Sequence, residues 1–64
     1  MFGQVEYDFT AKRGVLYINC GEWDDAHIPA MFSAIDPHCI EVLVYSKGRT
    51  RYSRSHPGAD WTVN

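Results

Sequence analysis

The chain has only two cysteines, Cys20 and Cys39, and no Cys-x2-Cys or His-x3-His pair. Structural zinc sites usually contain such a pair, because one tight turn then fixes two ligands. We therefore predict that the protein binds no metal and no cofactor. A disulfide is not expected either. Strand alternation places Cys20 on the face of Leu16 and Ile18, and Cys39 on the face opposite Ile40.

Long apolar runs are also missing, and no stretch approaches the roughly 18 apolar residues of a membrane span. The N-terminal segment, MFGQVEYDF, is acidic and lacks the apolar run of a signal peptide. We therefore predict a cytoplasmic protein with reduced thiols and no membrane association. The five glycines are isolated, which excludes a glycine-rich phosphate loop.

A catalytic site is not expected. His38 and Cys39 lie beside Asp36, but neighbours at the start of a strand do not form the hydrogen bond from base to nucleophile that activates a thiol. We therefore predict that the protein is not an enzyme.

What the chain does contain fits one small domain, residues 1–64. Its charge is unevenly distributed. Residues 1–40 hold six acidic and two basic side chains, whereas residues 41–64 hold two acidic and four basic ones. Each half can therefore present its own electrostatic field.

The strand signals are clear. The segment GQVEYDFT alternates between apolar and polar residues, and VLYINC is rich in β-branched and aromatic side chains. HCIEVLVYS and RTRYSR form a second pair of strands around a Lys-Gly turn. Between the pairs, the apolar spacing predicts one helix within residues 24–36, which Asp24 or Asp25 can cap and Asp36-Pro37 ends.

The predicted fold class is therefore α+β: a ββαββ, antiparallel four-stranded sheet with one short helix packed on one face. The C-terminal WTVN adds either a short edge strand or a cover for the core. The predicted core consists of Val5, Tyr7, Phe9, Leu16, Ile18, Ile28, Phe32, Ile35, Ile40, Val42 and Val44.

The segment VLYINCGEWDDAHIPA, residues 15–30, resembles the strand and Gly-His-Ile-Pro-Gly-Ala motif that precedes the active site of rhodanese-like domains. Ala26 and Ala30 stand where that motif has glycines. The chain is about half the length of such a domain, and no cysteine opens an anion loop of the Cys-Arg type. The resemblance therefore implies no rhodanese activity here.

One helix cannot cover both faces of the sheet. The face opposite the helix is predicted to carry Val15, Tyr17, Glu41, Leu43, Tyr45, Arg49 and Arg51. Interface cores are enriched in tyrosine and arginine, so this composition favours a binding surface. Two alternatives stay open: the C-terminal DWTVN folds back across this face, or a homodimer covers it.

We therefore expect a small non-enzymatic binding protein, a stoichiometric inhibitor or adaptor that acts on a larger host protein complex. Phages and mobile elements encode such small chains, including anti-defence proteins such as anti-CRISPRs. The predicted protein-binding residues are Glu22, Trp23, Asp24, Asp25, Tyr17 and Tyr45. The acidic group at the helix entrance is suited to a partner that handles nucleic acid, as a phosphate substitute; capping and solubility explain it equally well.

The alternative function is nucleic-acid binding. The segment YSKGRTRYSR alternates aromatic and basic side chains, so one hairpin could combine base stacking with phosphate contact. The residues of this alternative are Lys47, Arg49, Arg51, Tyr52 and Arg54. Four basic residues on an acidic protein give a weak field, however, and alternating Arg and Thr is also typical of a solvated edge.

Overall fold

The computed structural model of the protein describes residues 3–18 and 27–64, which form five strands and one helix. The elements are β1 (Gly3–Asp8), β2 (Arg13–Ile18), α1 (His27–Ile35), β3 (Glu41–Tyr45), β4 (Arg49–Ser53) and β5 (Thr62–Val63). The strands make one sheet in the order β1-β2-β3-β4-β5, and α1 packs on one of its faces. The predicted α+β class is therefore confirmed.

Two details of the predicted sheet are wrong. The sheet has five strands instead of four, and β2 pairs with β3 in parallel, with Leu16 opposite Val44. The connection that contains α1 explains the parallel pair. A helical crossover returns the chain to the end of the sheet at which β2 began, so the next strand runs in the same direction. The other three pairings are antiparallel.

The turn between β1 and β2 is held by Asp8. Its Oδ1 accepts hydrogen bonds from the backbone N–H groups of Thr10 (2.9 Å) and Ala11 (3.0 Å), an arrangement typical of aspartate in turns. Lys12 in the same turn has a positive φ of 59°. Gly14 lies within β2 and is buried.

Gly14 is required for packing. A Cβ at this position would lie 2.2 Å from Cδ1 of Phe32, so the ring and a side chain cannot both occupy this space. Phe32 is fully buried. The absence of a side chain at Gly14 is therefore what allows α1 to approach the sheet closely.

Helix α1 matches the predicted element. Ile28 and Phe32 are spaced by one turn and are both buried against the sheet. Pro29 lies in the first turn, where its missing N–H costs little. The helix ends at Ile35, immediately before Asp36-Pro37, as the sequence predicted. The predicted caps, Asp24 and Asp25, lie outside the described residues.

The core differs from the prediction at its margins. Leu16, Ile18, Ile28, Phe32, Val42 and Val44 are buried as predicted, and Tyr7 packs against this cluster while partly exposed. The predicted burial is wrong for three residues, which expose 45%, 60% and 42% of their surfaces: Val5, Phe9 and Ile35. Val5 lies on an edge strand, Phe9 lies beyond the end of β1, and Ile35 is the last residue of α1. Ile40 is only half-buried.

Two core residues were not predicted. Tyr52 is paired with Val42 and therefore points to the side of α1, where it is 1% exposed. Cys39 is fully buried and is a free thiol. Its predicted position on the opposite face is wrong because β3 begins only at Glu41, so the alternation of the strand does not extend to Cys39.

The C-terminus extends the sheet. β5 pairs with β4, and Trp61 packs against the core while the Arg54 guanidinium lies 4.4 Å from the centre of its ring. Arg54 also donates hydrogen bonds to the carbonyl oxygens of Cys39 (2.8 Å) and Pro37 (3.1 Å). The DWTVN segment therefore does not fold back across the face opposite α1.

Candidate functional site

The sheet face opposite α1, called the open face below, is formed by side chains that alternate with the core residues of β1–β4. The pairing register arranges them in three rows across the strands. The first row is Gln4, Tyr17, Tyr45 and Arg49; the second is Glu6, Val15, Leu43 and Arg51; the third is Asp8, Arg13, Glu41 and Ser53. Within residues 3–18 and 27–64, no helix or strand packs over these rows.

Tyr17 and Tyr45 form the centre of the first row. Their rings stack with centroids 5.3 Å apart and an angle of 14° between the planes. They remain 39% and 36% exposed. The sequence predicted both residues on this face, and the structure brings them into direct contact.

The second row continues the apolar centre. Val15 and Leu43 are direct partners across β2 and β3, and both are half-buried. Together with the tyrosine pair they form an apolar strip two strands wide. Such a strip, exposed on a small domain and flanked by charge, is typical of a surface that contacts another molecule.

An ion cluster centred on Glu41 lies in the third row. Glu41 accepts from Arg13 Nε at 2.6 Å and from Arg51 Nε at 2.5 Å, each through a different carboxylate oxygen. The hydrogen bonds from Arg13 and Arg51 lower the pKa of Glu41, and Glu41 in turn raises the pKa of Arg13. The sequence predicted Glu41 and Arg51 on this face but not Arg13, which precedes the predicted strand segment VLYINC.

The charges of the open face are separated by strand. Glu6 and Asp8 lie on β1, whereas Arg49 and Arg51 lie on β4, at the opposite side of the apolar strip. With Arg13 and Glu41 between them, the three rows hold three acidic and three basic side chains. The face is therefore neutral in total and strongly polarised across the sheet.

The residues of the nucleic-acid alternative are dispersed. Tyr52 is in the core, so its predicted role as an exposed stacking ring is wrong. Arg54 is bound to the carbonyls of residues 37 and 39, and Arg51 to Glu41. Lys47 lies in the β3–β4 turn with φ 57°, and Arg49 lies in the first row. No ion pair joins these last two to a carboxylate in the described part of the chain.

The other predicted contact group lies outside the described residues. Glu22, Trp23, Asp24 and Asp25 belong to residues 19–26, as does Cys20. The acidic helix entrance therefore stays a prediction from the sequence.

A second polar cluster lies where α1 ends. The buried carboxylate of Asp36 accepts from the Tyr7 hydroxyl at 2.8 Å and from the His38 backbone N–H at 3.0 Å, and it lies 3.6 Å from Lys12 Nζ. The His38 N–H lowers the pKa of Asp36 most, with help from Tyr7 and Lys12. Burial, and then the bond to Asp36, raises the pKa of Tyr7. This cluster fastens β1 to the end of α1.

The thiol next to this cluster is engaged in packing. Cys39 Sγ is 3.4 Å from the carbonyl oxygen of Glu41, and the residue has no exposed surface.

Among the residues described, no three His, Cys, Asp or Glu side chains group closely enough to hold a metal ion. Within the same residues, no helix has the length and apolar character needed to cross a membrane.

The chain has a small α+β fold, and no helix or strand among the described residues packs over the open face. No protein-family model matches the chain, and neither a curated protein nor a solved structure is similar to it. The open face is therefore the feature of this protein from which we infer its function.

Proposed function

We propose that this protein is a non-enzymatic binding protein that contacts another protein through the open face. The observation that carries the proposal is the stacked, exposed pair Tyr17 and Tyr45 on a sheet face over which none of the described helices or strands packs. Tyrosine supplies a large contact area and loses little conformational entropy on binding, which is why it is enriched where binding energy is concentrated.

The charge pattern supports a protein partner over a nucleic acid. A surface that binds the phosphate backbone needs a continuous excess of positive charge. On the open face, Glu6, Asp8 and Glu41 balance the three arginines, and Tyr52 is buried. The mixed charges and the apolar centre instead match the polar rim and apolar core of protein interfaces.

In this role the protein acts stoichiometrically, as an inhibitor or adaptor on a larger partner. The acidic helix entrance, Glu22 to Asp25, is proposed as a second contact that steers encounter with a basic partner. A phage or anti-defence origin stays a prediction from chain size alone. The cytoplasmic location stays a prediction from the sequence pattern.

The test compares two exposed apolar residues. Tyr45→Ala removes an open-face ring, and Ile35→Ala removes an exposed side chain at the end of α1 as the matched control. Tagged wild type and both variants are used to capture proteins from the source cells, with quantitative mass spectrometry. We expect a protein retained by wild type and Ile35→Ala and lost with Tyr45→Ala. Equal retention by all three would contradict the proposal.

A gel-shift titration tests the alternative. Oligonucleotide binding that survives about 150 mM salt and disappears in Arg49→Ala would favour nucleic acid as the ligand. The proposed function predicts negligible binding under these conditions. It also predicts that Asp24→Ala with Asp25→Ala slows association with the protein partner and lowers its salt dependence.

A further inference from the structure

The three rows of the open face are complementary to themselves. Consider a two-fold axis that runs parallel to the strands, midway between β2 and β3. Such an axis places β1 of one copy over β4 of a second copy, and β2 over β3, while each row stays opposite the same row. Two-fold interfaces of this kind use one patch on both copies, so every contact occurs twice.

The contacts that result are favourable in all three rows. In the second row, Glu6 faces Arg51 of the second copy and Val15 faces its Leu43. In the third row, Arg13 faces Glu41 of the second copy, and in the first row Tyr17 faces its Tyr45. Each charged side chain named here thus meets one of opposite sign, and the apolar strip of one copy packs against the apolar strip of the other.

We propose that the partner of the open face is a second copy of this chain, bound face to face about this axis. The inference rests on the proposed function because it names the occupant of the same surface. In this arrangement the dimer is the unit that acts.

The other simple two-fold arrangement is disfavoured. An axis perpendicular to the strands would place β1 over β1 and β4 over β4 of the second copy. Glu6 would then face Glu6, and Arg51 would face Arg51. Like charges placed opposite one another at an interface cost several kcal/mol. The charge separation between β1 and β4 therefore selects the parallel axis.

The dimensions fit a weak dimer. Four strands at about 4.8 Å and six residues at about 3.4 Å give a face of about 19 by 20 Å. Facing sheets pack about 10 Å apart and cross at about 30°. That rotation moves the ends of the outer rows by about 5 Å, within the reach of Glu and Arg side chains. This gives about 380 Å² on each copy, which is smaller than a standard interface and in the class of weak, transient contacts, so we expect a dissociation constant in the high micromolar range.

The decisive experiment uses two charge variants and their mixture. Glu6→Arg places Arg opposite Arg51 in both contacts of the homodimer, and Arg51→Glu places Glu opposite Glu6. We expect each variant alone to dimerise at least about tenfold more weakly than wild type. An equimolar mixture should restore a one-to-one heterodimer, because both contacts then join Arg to Glu. Sedimentation velocity on purified protein from about 10 µM to 1 mM and native mass spectrometry measure both effects.

A control variant, a second mixing test and a folding check accompany this experiment. Asp60→Arg makes the same charge change in the loop before β5 and should dimerise like wild type. Because Arg51→Glu also places a carboxylate beside Glu41, a second pair, Val15→Lys and Leu43→Glu, repeats the mixing test in the apolar strip. Each of these variants should weaken the dimer. Their mixture should restore it, because the introduced lysine of one copy then faces the introduced glutamate of the other. Thermal melting followed by circular dichroism checks that each variant folds.

Several results would overturn the inference. A wild-type protein that stays monomeric at 1 mM excludes the dimer, and variants that do not recover on mixing exclude this axis. Neither result touches capture of a different protein that depends on Tyr45, so failure of the dimer and failure of the proposed function are distinguishable. Oligonucleotide binding that competes with self-association would instead assign the face to nucleic acid.

Discussion

Tyr17 lies directly opposite Tyr45 across the parallel strands β2 and β3, and the two rings stack with their centroids 5.3 Å apart. The contact joins strands that are separated in sequence by the whole of α1. Because both rings remain more than one-third exposed, the pair adds little to the core and presents a flat aromatic surface to the outside.

Tyr45→Ala should therefore separate stability from binding. We expect the free energy of unfolding to fall by only about 1 kcal/mol, the usual contribution of an aromatic pair. Self-association should weaken by about tenfold or more, since the same ring is a central anchor. Chemical denaturation and sedimentation velocity on the same preparation measure the two effects. A variant that unfolds readily yet dimerises normally when folded would reverse this assignment.

Gly14→Ala should destabilise the protein although it adds only one methyl group. The new Cβ would lie 2.2 Å from the Phe32 ring, which is fully buried and cannot move into solvent. Overpacking of this kind costs about 1–3 kcal/mol. Urea denaturation measures the loss.

A matched background shows whether the Phe32 ring is the cause. In Phe32→Leu the smaller side chain leaves room, so Gly14→Ala should cost less there than in wild type. An equal penalty in both backgrounds would point to the backbone of β2 instead.

Asp36 should contribute stability that depends on pH in the acid range. Its pKa is lowered in the folded protein, chiefly by the His38 N–H and further by the Tyr7 hydroxyl. The contribution is therefore fully present above the ordinary pKa of an aspartate and is lost as the pH falls through the lower, folded value. Asp36→Asn should show a flatter loss of stability as the pH falls below about 4, because the variant takes up fewer protons on unfolding.

Denaturant titrations at several pH values give the two profiles. Glu41 also has a lowered pKa and stays intact in Asp36→Asn, so the variant should retain part of the acid sensitivity. Identical profiles for wild type and Asp36→Asn would show that the cluster at the end of α1 does not hold the carboxylate in its charged form.

Cys39 should resist modification in the folded protein. Its side chain is fully buried, so a thiol reagent reaches it only when the structure opens. In a Cys20→Ser background Cys39 is the only thiol. We expect its reaction with a chromogenic disulfide to be about 100-fold or more slower in buffer than in denaturant, given the stability of small domains. Reaction at the denatured rate in buffer would mean that the core around Cys39 opens freely.

The sequence predicted the strands and the helix because their patterns are local. Alternation around Tyr7, the β-branched run before Tyr45 and Asp36-Pro37 each act over a few residues. The parallel pairing of β2 and β3 is set by the path of the crossover, which no local pattern reports. The prediction therefore had both hairpins right, and it was wrong about the direction of the central pair, β2 and β3.

The open face could be predicted in composition but not in arrangement. Alternation alone placed Tyr17, Tyr45 and Leu43 on one side of the sheet. Their order in rows follows from the register, which depends on the parallel pair. Cys39 and Tyr52 were misplaced for related reasons: Cys39 precedes its strand, and Tyr52 lies in a segment whose arginines suggested a surface.

The parallel pair at the centre of the sheet also sets the order in which the protein can fold. The β1–β2 and β3–β4 hairpins join close neighbours in sequence, whereas Leu16 and Val44 are separated by the whole of α1. Local hairpins close within microseconds, and pairings between distant segments come later. We therefore expect the two halves to dock last, in the step that forms the row with both tyrosines. Neither half carries the whole open face, so this face exists only in a chain that has finished folding.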